Sequence, residues 1–480
     1  MAFRNDAFLF PPPSRDAKNV LAPRLWPGRS AGTGQAVSRI LKDNRQKWDA
    51  FFYKIFHNHV SHTILAQWAL GANERLLQAA YDRPQPHLTP APAPALEITK
   101  DNWTEYLGDP KAYTAYVKFF EAEVTAKGID GVVTEYVFSP EANAATGKGI
   151  DPEMINRLLD GIFHPMIYLG CGVEFNMPGV VAEGLSQTAV HEASATPLIP
   201  LSFFGNPKPA SVAPEPGLSA LTILARIISD PELVVDEPGL IAASRGVIGQ
   251  FGRKIKALVD EWDLTSTQKA VEELSWITTL LYGVAGRESD TKFTGDFFFM
   301  HFITSAVFLP TFIAHIENPE YQRILLRAYL ASCLVFYIGR GRPRLDLKAF
   351  FSDASTLQPT APGPHPAPCL TSASGILEAD AISPNSWLQI IQSTLVHPDE
   401  HTPKIMRALV HFDEAYGEAG KGFFKDTELE GAEEIDGSLF LRVAGLTMTR
   451  NKWVREGEEI VKGPDYRPIG VWDFAGFGKK

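Results

Sequence analysis

The stretch from Phe298 to Leu309 is apolar on every side of a helix. Such a helix has no face to offer water, so it belongs at the centre of a fold. The apolar run extends from Phe297 to Ile316 but is interrupted by His301, Thr304, Ser305, Pro310, Thr311 and His315. A membrane span needs about 20 mostly apolar residues, and with these interruptions the expectation is a buried core helix. His301 stands in its middle. Burying an imidazole without a partner costs about 1–3 kcal/mol, so something must meet it, either a hydrogen-bond acceptor or a metal.

Four other places carry histidine in apolar, helix-like surroundings: His59 with His62, His164, His191 and His401. Phe51, Phe52, Ile55, His59, His62, Leu65 and Ala66 follow spacings of one, three or four. That pattern puts His59 and His62 one turn apart on the apolar face of a helix. Several of these histidines are expected to converge with His301 on one buried site. The length of 480 residues allows about two or three ordinary domains. A site drawing on both halves of the chain instead predicts one domain over 1–480.

With 45% hydrophobic and 21% charged residues, the chain reads as a soluble globular protein. A net charge of −11 without a long basic run excludes nucleic acid as the expected partner. The three cysteines, Cys171, Cys333 and Cys369, form no CxxC pair. They fit a reducing compartment and no cysteine zinc site. The N-terminus lacks a signal-peptide apolar region, so a cytoplasmic protein without a membrane partner is expected.

Residues 1–34, rich in Pro, Gly and Arg, predict an extended arm. Gly32-Thr33-Gly34 begins like a dinucleotide loop, but no strand precedes it and the third glycine is missing. Helical patterns cover Gln35 to about Tyr81, then about 217–229, 237–262, 265–284, 293–316, 319–339 and 386–395. Asp109-Pro110, Asp151-Pro152 and Asn318-Pro319 read as helix starts, and Gly128 as a helix end. His164-Pro165 and the following Gly170 imply a bend at the histidine. The Gly339 to Arg344 stretch is basic enough to grip a phosphate, but a solvated turn is the preferred reading. Around His401 two starts compete, one near Asp399 and one at Thr402-Pro403; the earlier is preferred because it puts His401 and Lys404 on one face. Ser438 to Val443 is strand-like. The expectation is a mainly α, single large helical domain around a buried metal site, with minor β near the C-terminus.

Grouped imidazoles with an oxygen ligand suit iron, copper, zinc or nickel. The plainer alternative is a set of core histidines with ordinary hydrogen-bond partners. No GxSxG, HExxH, phosphate-binding loop or complete GxGxxG competes. Asp399 and Glu400 can orient a liganding histidine, or simply favour a helix start. Lys404, one turn from His401, either points to solvent or is held neutral by burial. A neutral lysine can be carbamylated and then offer a carboxylate to the metal.

His57-Asn58-His59-Val60-Ser61-His62, His164-Pro165-Met166-Ile167-Tyr168-Leu169-Gly170-Cys171-Gly172-Val173-Glu174-Phe175, Phe298-Phe299-Met300-His301, Asp399-Glu400-His401-Thr402-Pro403-Lys404 and Trp472-Asp473-Phe474 together resemble the questin oxidase-like family. These are fungal oxidoreductases of aromatic polyketide pathways. The resemblance, from about Leu21 to Gly478, implies oxidative opening of an anthraquinone-type ring with molecular oxygen. It implies either a non-haem Fe(II) oxygenase or a metal-free Baeyer–Villiger oxygenase using NADPH. The absence of flavin and nicotinamide fingerprints favours iron. The matching metal candidates are His59 or His62, His164, His301, His401 and Lys404. His62 and His191 are the catalytic candidates beside the metal, His191 as a substrate contact, and His57 lies off the apolar face. Tyr168, Phe298 and Trp387 are expected to stack on a flat aromatic polyketide. A rival of another class is a non-catalytic binding protein for an aromatic metabolite.

Overall fold

Capping chemistry marks where the helices begin. Ser30, Asn73, Ser219, Ser266, Asp296, Asn318 and Asn385 each accept a backbone N–H of the first helical turn, satisfying donors a helix start leaves open. The structure, a computed structural model, describes residues 2–52, 56–144, 151–200, 204, 217–239, 241–289, 292–362, 385–454 and 471–477. Ile55, Cys369 and most of the proline-rich connections at 197–216 and 356–384 lie outside them.

In chain order the helices are α1 (Ala2–Leu9), α2 (Ala31–Lys47), α3 (Val60–Ala69), α4 (Glu74–Asp82), α5 (Tyr113–Tyr136), α6 (Met154–Leu158), α7 (His164–Glu174), α8 (Pro178–Val190) and α9 (Ala220–Ser229). Then follow α10 (Ile241–Asp260), α11 (Thr267–Gly283), α12 (Phe297–Ala306), α13 (Leu309–His315), α14 (Pro319–Gly339), α15 (Leu347–Ser352), α16 (Ser386–Val396), α17 (Thr402–Tyr416) and α18 (Ser438–Asn451). The mainly helical fold stands as read. The apolar stretch Phe297–His315 is 89% buried and forms α12 and α13, the core the sequence predicts.

Several local expectations are corrected. The N-terminal arm carries α1, and α2 already begins at Ala31. Ser30 and Thr33 form a capping box, so Gly32-Thr33-Gly34 is a first helical turn. The helical pattern from Gln35 to about Tyr81 breaks at Gly71, between α3 and α4, as its glycine predicts, but it is also divided earlier by a hairpin, β1 (Phe51–Phe52) with β2 (Phe56–His57). Gly128 ends one helical run as read, at φ +73°, but a second run follows directly across the kink and α5 spans both. Ser438 to Val443 is the start of α18, because Leu439, Phe440, Val443, Ala444, Thr447 and Met448 fall on one buried helical face. Among the described residues the paired strands lie elsewhere than near the C-terminus. Besides β1–β2 they are β3 (Arg287–Ser289) and β4 (Lys292–Phe293), and the described part of the C-terminal segment contributes an isolated bridge between Asp296 and Asp473. Arg340 is not solvated; it is fully buried. α17 starts late, at Thr402, since Asp399 Oδ1 accepts from the backbone N–H of His401 and Thr402 at 3.0 and 2.9 Å.

Four helices close a ring of contacts at the centre: α3 packs on α7 and α17, and α12 packs on the same two. α8 lies between α5 and α7, α11 backs α12, and α10 lies along α14.

Candidate active site

Each helix of the central ring brings a histidine inward. His59 caps the N-terminus of α3 and His62 lies in its first turn. His164 is the first residue of α7, His301 lies within α12, and His401 caps α17. The hairpin turns the chain out of β2 directly into His59. Before His164 the chain is held in a left-handed turn, with Gly161, Ile162 and Phe163 at φ of +56°, +58° and +63°. Left-handed backbone costs about 1–2 kcal/mol per non-glycine residue, and it aims the Gly161 carbonyl at the His164 ring.

The ring nitrogens are assigned by their neighbours. His164 Nδ1 lies 2.6 Å from the Gly161 carbonyl, and His59 Nδ1 lies 2.7 Å from Glu400 Oε1. The His164 Nδ1 therefore carries a hydrogen facing an acceptor, while the close approach of His59 Nδ1 to Glu400 is not a hydrogen bond. Burial first, and nearby positive groups second, hold both imidazoles well below the usual histidine range, so they are neutral. The His164 Nε2 then presents a lone pair, and the His59 Nε2 lies 2.9 Å from it, at hydrogen-bond distance. His301 repeats the arrangement, with Nδ1 2.7 Å from the Phe297 carbonyl and Nε2 without a hydrogen-bond partner. Both ring nitrogens of His62 also lack such a partner among the described residues. The rings are packed together: centroids are 4.8 Å apart for His59 and His62, 4.6 Å for His59 and His401, and 4.8 Å for His164 and His301. Nitrogen and carboxylate atoms of His59, Glu400 and His401 lie within 4.8 Å of one another.

Lys404 is buried beside them. Desolvation pushes its ammonium down to about 8, against the pull of Glu400 and Asp399. The sequence expectation that it faces either solvent or a low dielectric resolves to burial.

His191 pairs with His57, Nε2 to Nε2 at 2.9 Å. Here the neighbours allow an ordinary hydrogen bond. His191 Nδ1 lies 2.6 Å from the Gln187 carbonyl, leaving Nε2 to accept from His57. The His57 ring in turn stacks on His164, with centroids 4.0 Å apart and planes 7° from parallel. His191 thus stands one ring behind the inner histidines, and His57 takes the nearer place.

Tyr168 stands edge-on to His62 with centroids 4.9 Å apart, and its hydroxyl donates to the Asn58 carbonyl. It fixes the turn that presents His59. The other two expected aromatics are corrected. Phe298 faces the Arg340 guanidinium, 4.4 Å from its ring centroid. The ring against His301 is that of its neighbour Phe297, at 4.5 Å. Trp387 donates to Asp413, which is twelve residues along α17 from His401. At a rise of about 1.5 Å per residue that is about 18 Å from the histidines.

The residues that sequence reasoning missed are Phe297 and the near position of His57; Glu400, read as able to orient a histidine, lies beside His59. The signal for His57 was its place inside the first histidine motif.

The model of the questin oxidase-like family matches residues 56–409. A Baeyer–Villiger oxidase of Pestalotiopsis fici is 27% identical, covering 91% of this chain and 93% of its own. A questin oxidase of Aspergillus fumigatus is 27% identical, covering 93% and 96% respectively. A Baeyer–Villiger oxidase of Emericella nidulans is 28% identical, covering 95% and 97%.

Proposed function

From the premise that the chain belongs to the questin oxidase-like family, and is thus an oxidoreductase, we propose that it is a non-haem iron oxygenase that cleaves a C–C bond of an anthraquinone-type polyketide. The observation that carries the iron is the convergence of buried imidazoles with a carboxylate: ligand atoms of His59, Glu400 and His401 lie within 4.8 Å of one another, and the buried His301 Nε2 has no hydrogen-bond partner. Metal-bound histidines characteristically give their other N–H to a carbonyl or carboxylate, as His164 and His301 do. Imidazole with carboxylate oxygen suits ferrous iron. His59, His164, His301 and His401 would hold it, with Glu400 and Lys404 as the oxygen-bearing or oxygen-acquiring neighbours. Lys404, largely deprived of water, is suited to take up CO₂ as a carbamate. Bound iron would supply the binding and activation of dioxygen.

The chain's own groups account for substrate handling. The N-terminal ends of α3, α7 and α17 point at the centre, and their dipoles favour negative charge on a bound phenolate. Phe297 and Tyr168 offer ring surface beside the histidines. His62, neutral through burial and with both nitrogens unengaged, is placed to take or return a substrate proton. The His57–His191 pair lies behind it as a contact for the substrate's far edge.

Metal content of the protein, wild type beside His301→Ala, tests the reading. Stoichiometric iron lost in the variant, with oxygen uptake on an anthraquinone, is the expected result. No metal in the wild type after anaerobic loading with ferrous iron overturns it.

The relatives named Baeyer–Villiger oxidases favour a second reading. Insertion of one oxygen atom sends the other to water and needs two electrons, which NADPH supplies. Entry of both atoms into the product needs none. Turnover that requires NADPH and survives metal removal selects the second reading. Membership of an oxidoreductase family sets aside a non-catalytic binding role.

A further inference from the structure

The family match ends at residue 409, yet the histidine site is closed by chain beyond it. The segment 471–477 runs beside the start of α12. The Phe297 N–H donates to the Asp473 carbonyl at 2.9 Å, and the Asp473 N–H donates to the Gly295 carbonyl at 3.0 Å. Two side chains of this segment meet the groups that hold the histidines. Trp472 Nε1 donates to Asp399 Oδ2 at 3.1 Å. The other oxygen of Asp399 caps α17 at His401 and Thr402, and Oδ2 itself lies 3.7 Å from His401 Nδ1. The Trp472 ring also stands edge-on to His401 at 5.9 Å. Phe474 stacks on Phe297 with centroids 4.4 Å apart, and Phe297 touches both His301, at 4.5 Å, and His401, at 5.2 Å. The layers run from Phe474, 39% exposed, through Phe297 at 9% to His301 at 0%.

We propose that Trp472 and Phe474 are positioning residues of the histidine site, Trp472 acting on His401 through Asp399 and Phe474 acting on His301 through Phe297. The physical reason is rotational freedom. An imidazole at a helix N-cap can turn about its side-chain bonds, and Asp399 limits that turning only while both its oxygens are engaged. Trp472 supplies the N–H that keeps Oδ2 on the His401 side. Phe297, at the first turn of α12, is held over His301 only while a second ring backs it. Without Phe474 the Phe297 ring can swing outward and admit water to His301 Nε2.

The inference rests on the metal reading for its chemical consequence, and its test separates the two. Cobalt(II) serves as the probe, since its visible absorption reports the arrangement of its ligands. Trp472→Phe removes the N–H and keeps a ring; Phe474→Ala removes the backing ring, and Phe474→Tyr restores it. Partners that orient a metal-binding histidine are worth roughly 10–100-fold in metal affinity. Trp472→Phe and Phe474→Ala are expected to weaken cobalt binding about tenfold or more and to shift its spectrum, while Phe474→Tyr matches the wild type. Thermal melts establish that the variants fold. In metal-free protein carrying ¹⁵N-histidine, the ring resonances of His401 are expected to move in Trp472→Phe and those of His301 in Phe474→Ala. Cobalt binding and histidine resonances both unchanged in folded variants would overturn the proposal. A wild type that binds no cobalt would end the metal reading alone, and the histidine resonances would still decide the positioning role.

Discussion

An imidazole has two nitrogens, and what one touches fixes what the other can do. By that rule the 2.9 Å contacts of His59 with His164 and of His57 with His191 are alike. In each, one ring turns its Nδ1 to a backbone carbonyl and accepts through Nε2. The other ring remains able to donate through Nε2. The sequence placed the rings in apolar company but could not assign these roles. The deciding acceptors are the carbonyls of Gly161, Gln187 and Phe297, which every residue possesses and only the backbone path aims. The same burial acts on Glu183 of α8, whose carboxyl is pushed up to about 8. Arg45 of α2 and, more weakly, Ser61 of α3 oppose that shift, and Glu121 of α5 adds to it. The folded protein therefore binds a proton that the unfolded chain releases above its ordinary value of 4.5. That contribution to stability is full below pH 4.5, and it is lost as pH rises towards 8. Glu183→Gln removes the titration. Its melting temperature is expected to exceed the wild type's by more at pH 8 than at pH 5, by an amount on the order of a few kcal/mol in stability. Parallel melting curves at the two pH values would show that Glu183 is not held protonated by the fold.

Helix α7 must bring His164 to the centre while packing against α8, and glycine makes the close approach. A Cβ at Gly184 would lie 2.5 Å from the Leu169 backbone nitrogen, and one at Gly172 would lie 2.5 Å from that of Val181. The clashing atoms are backbone, so nothing can rotate away. Gly184→Ala is expected to part the two helices, cost about 1–3 kcal/mol, and lower metal affinity by moving His164. Gly249→Ala is the control: it lies in α10 with open space around its Cβ. It should gain about 0.5–1 kcal/mol. Urea unfolding of both variants checks the contrast; equal effects would mean that glycine acts here only through helix propensity. At this scale the sequence was most legible where a cap and an apolar face agree, as in α11, α12 and α14. It failed where they disagree. Ser438 to Val443 reads as a strand over six residues, and only the continuation to Met448 reveals the helical period. At α17 the Thr402-Pro403 start signal holds over the competing start near Asp399. His401 and Lys404 both reach the site with the helix starting at Thr402, because His401 does so from the cap.

At the scale of the whole molecule, one buried ion pair joins parts of the chain that sequence separates. Asp296 Oδ1 caps α12 by accepting from Phe298 and Phe299 at 2.9 and 3.0 Å. Its Oδ2 accepts from Arg340 Nε at 3.0 Å and from Nη2. Arg340 Nη1 reaches the carbonyls of Gly239 and Phe474 at 2.8 and 3.0 Å. Both side chains are fully buried. Next to Arg340, Gly341 adopts φ +102° and approaches the Phe477 carbonyl so closely that a Cβ would come within 2.1 Å of it. The pair therefore ties the His301 helix, the end of α14 and the segment bearing Trp472 and Phe474 into one unit. Read in sequence, Gly339-Arg340-Gly341 looks like a solvated turn, because a lone arginine between glycines has no local partner. Its partner lies forty-four residues away. Removing one member leaves the other as an uncompensated buried charge, at a cost of about 3–5 kcal/mol. Arg340→Met and Asp296→Asn are each expected to lose that much, and each to weaken metal binding, since both loosen α12 and the C-terminal segment. Asparagine keeps the helix cap, so the double variant carries neither buried charge nor an open helix end. It should unfold at a higher urea concentration than either single variant. Losses that simply add in the double variant would show two independent contributions, and the tie between the site and the C-terminal segment would have to be carried by the Trp472–Asp399 and Phe474–Phe297 contacts and the backbone bonds of Asp473.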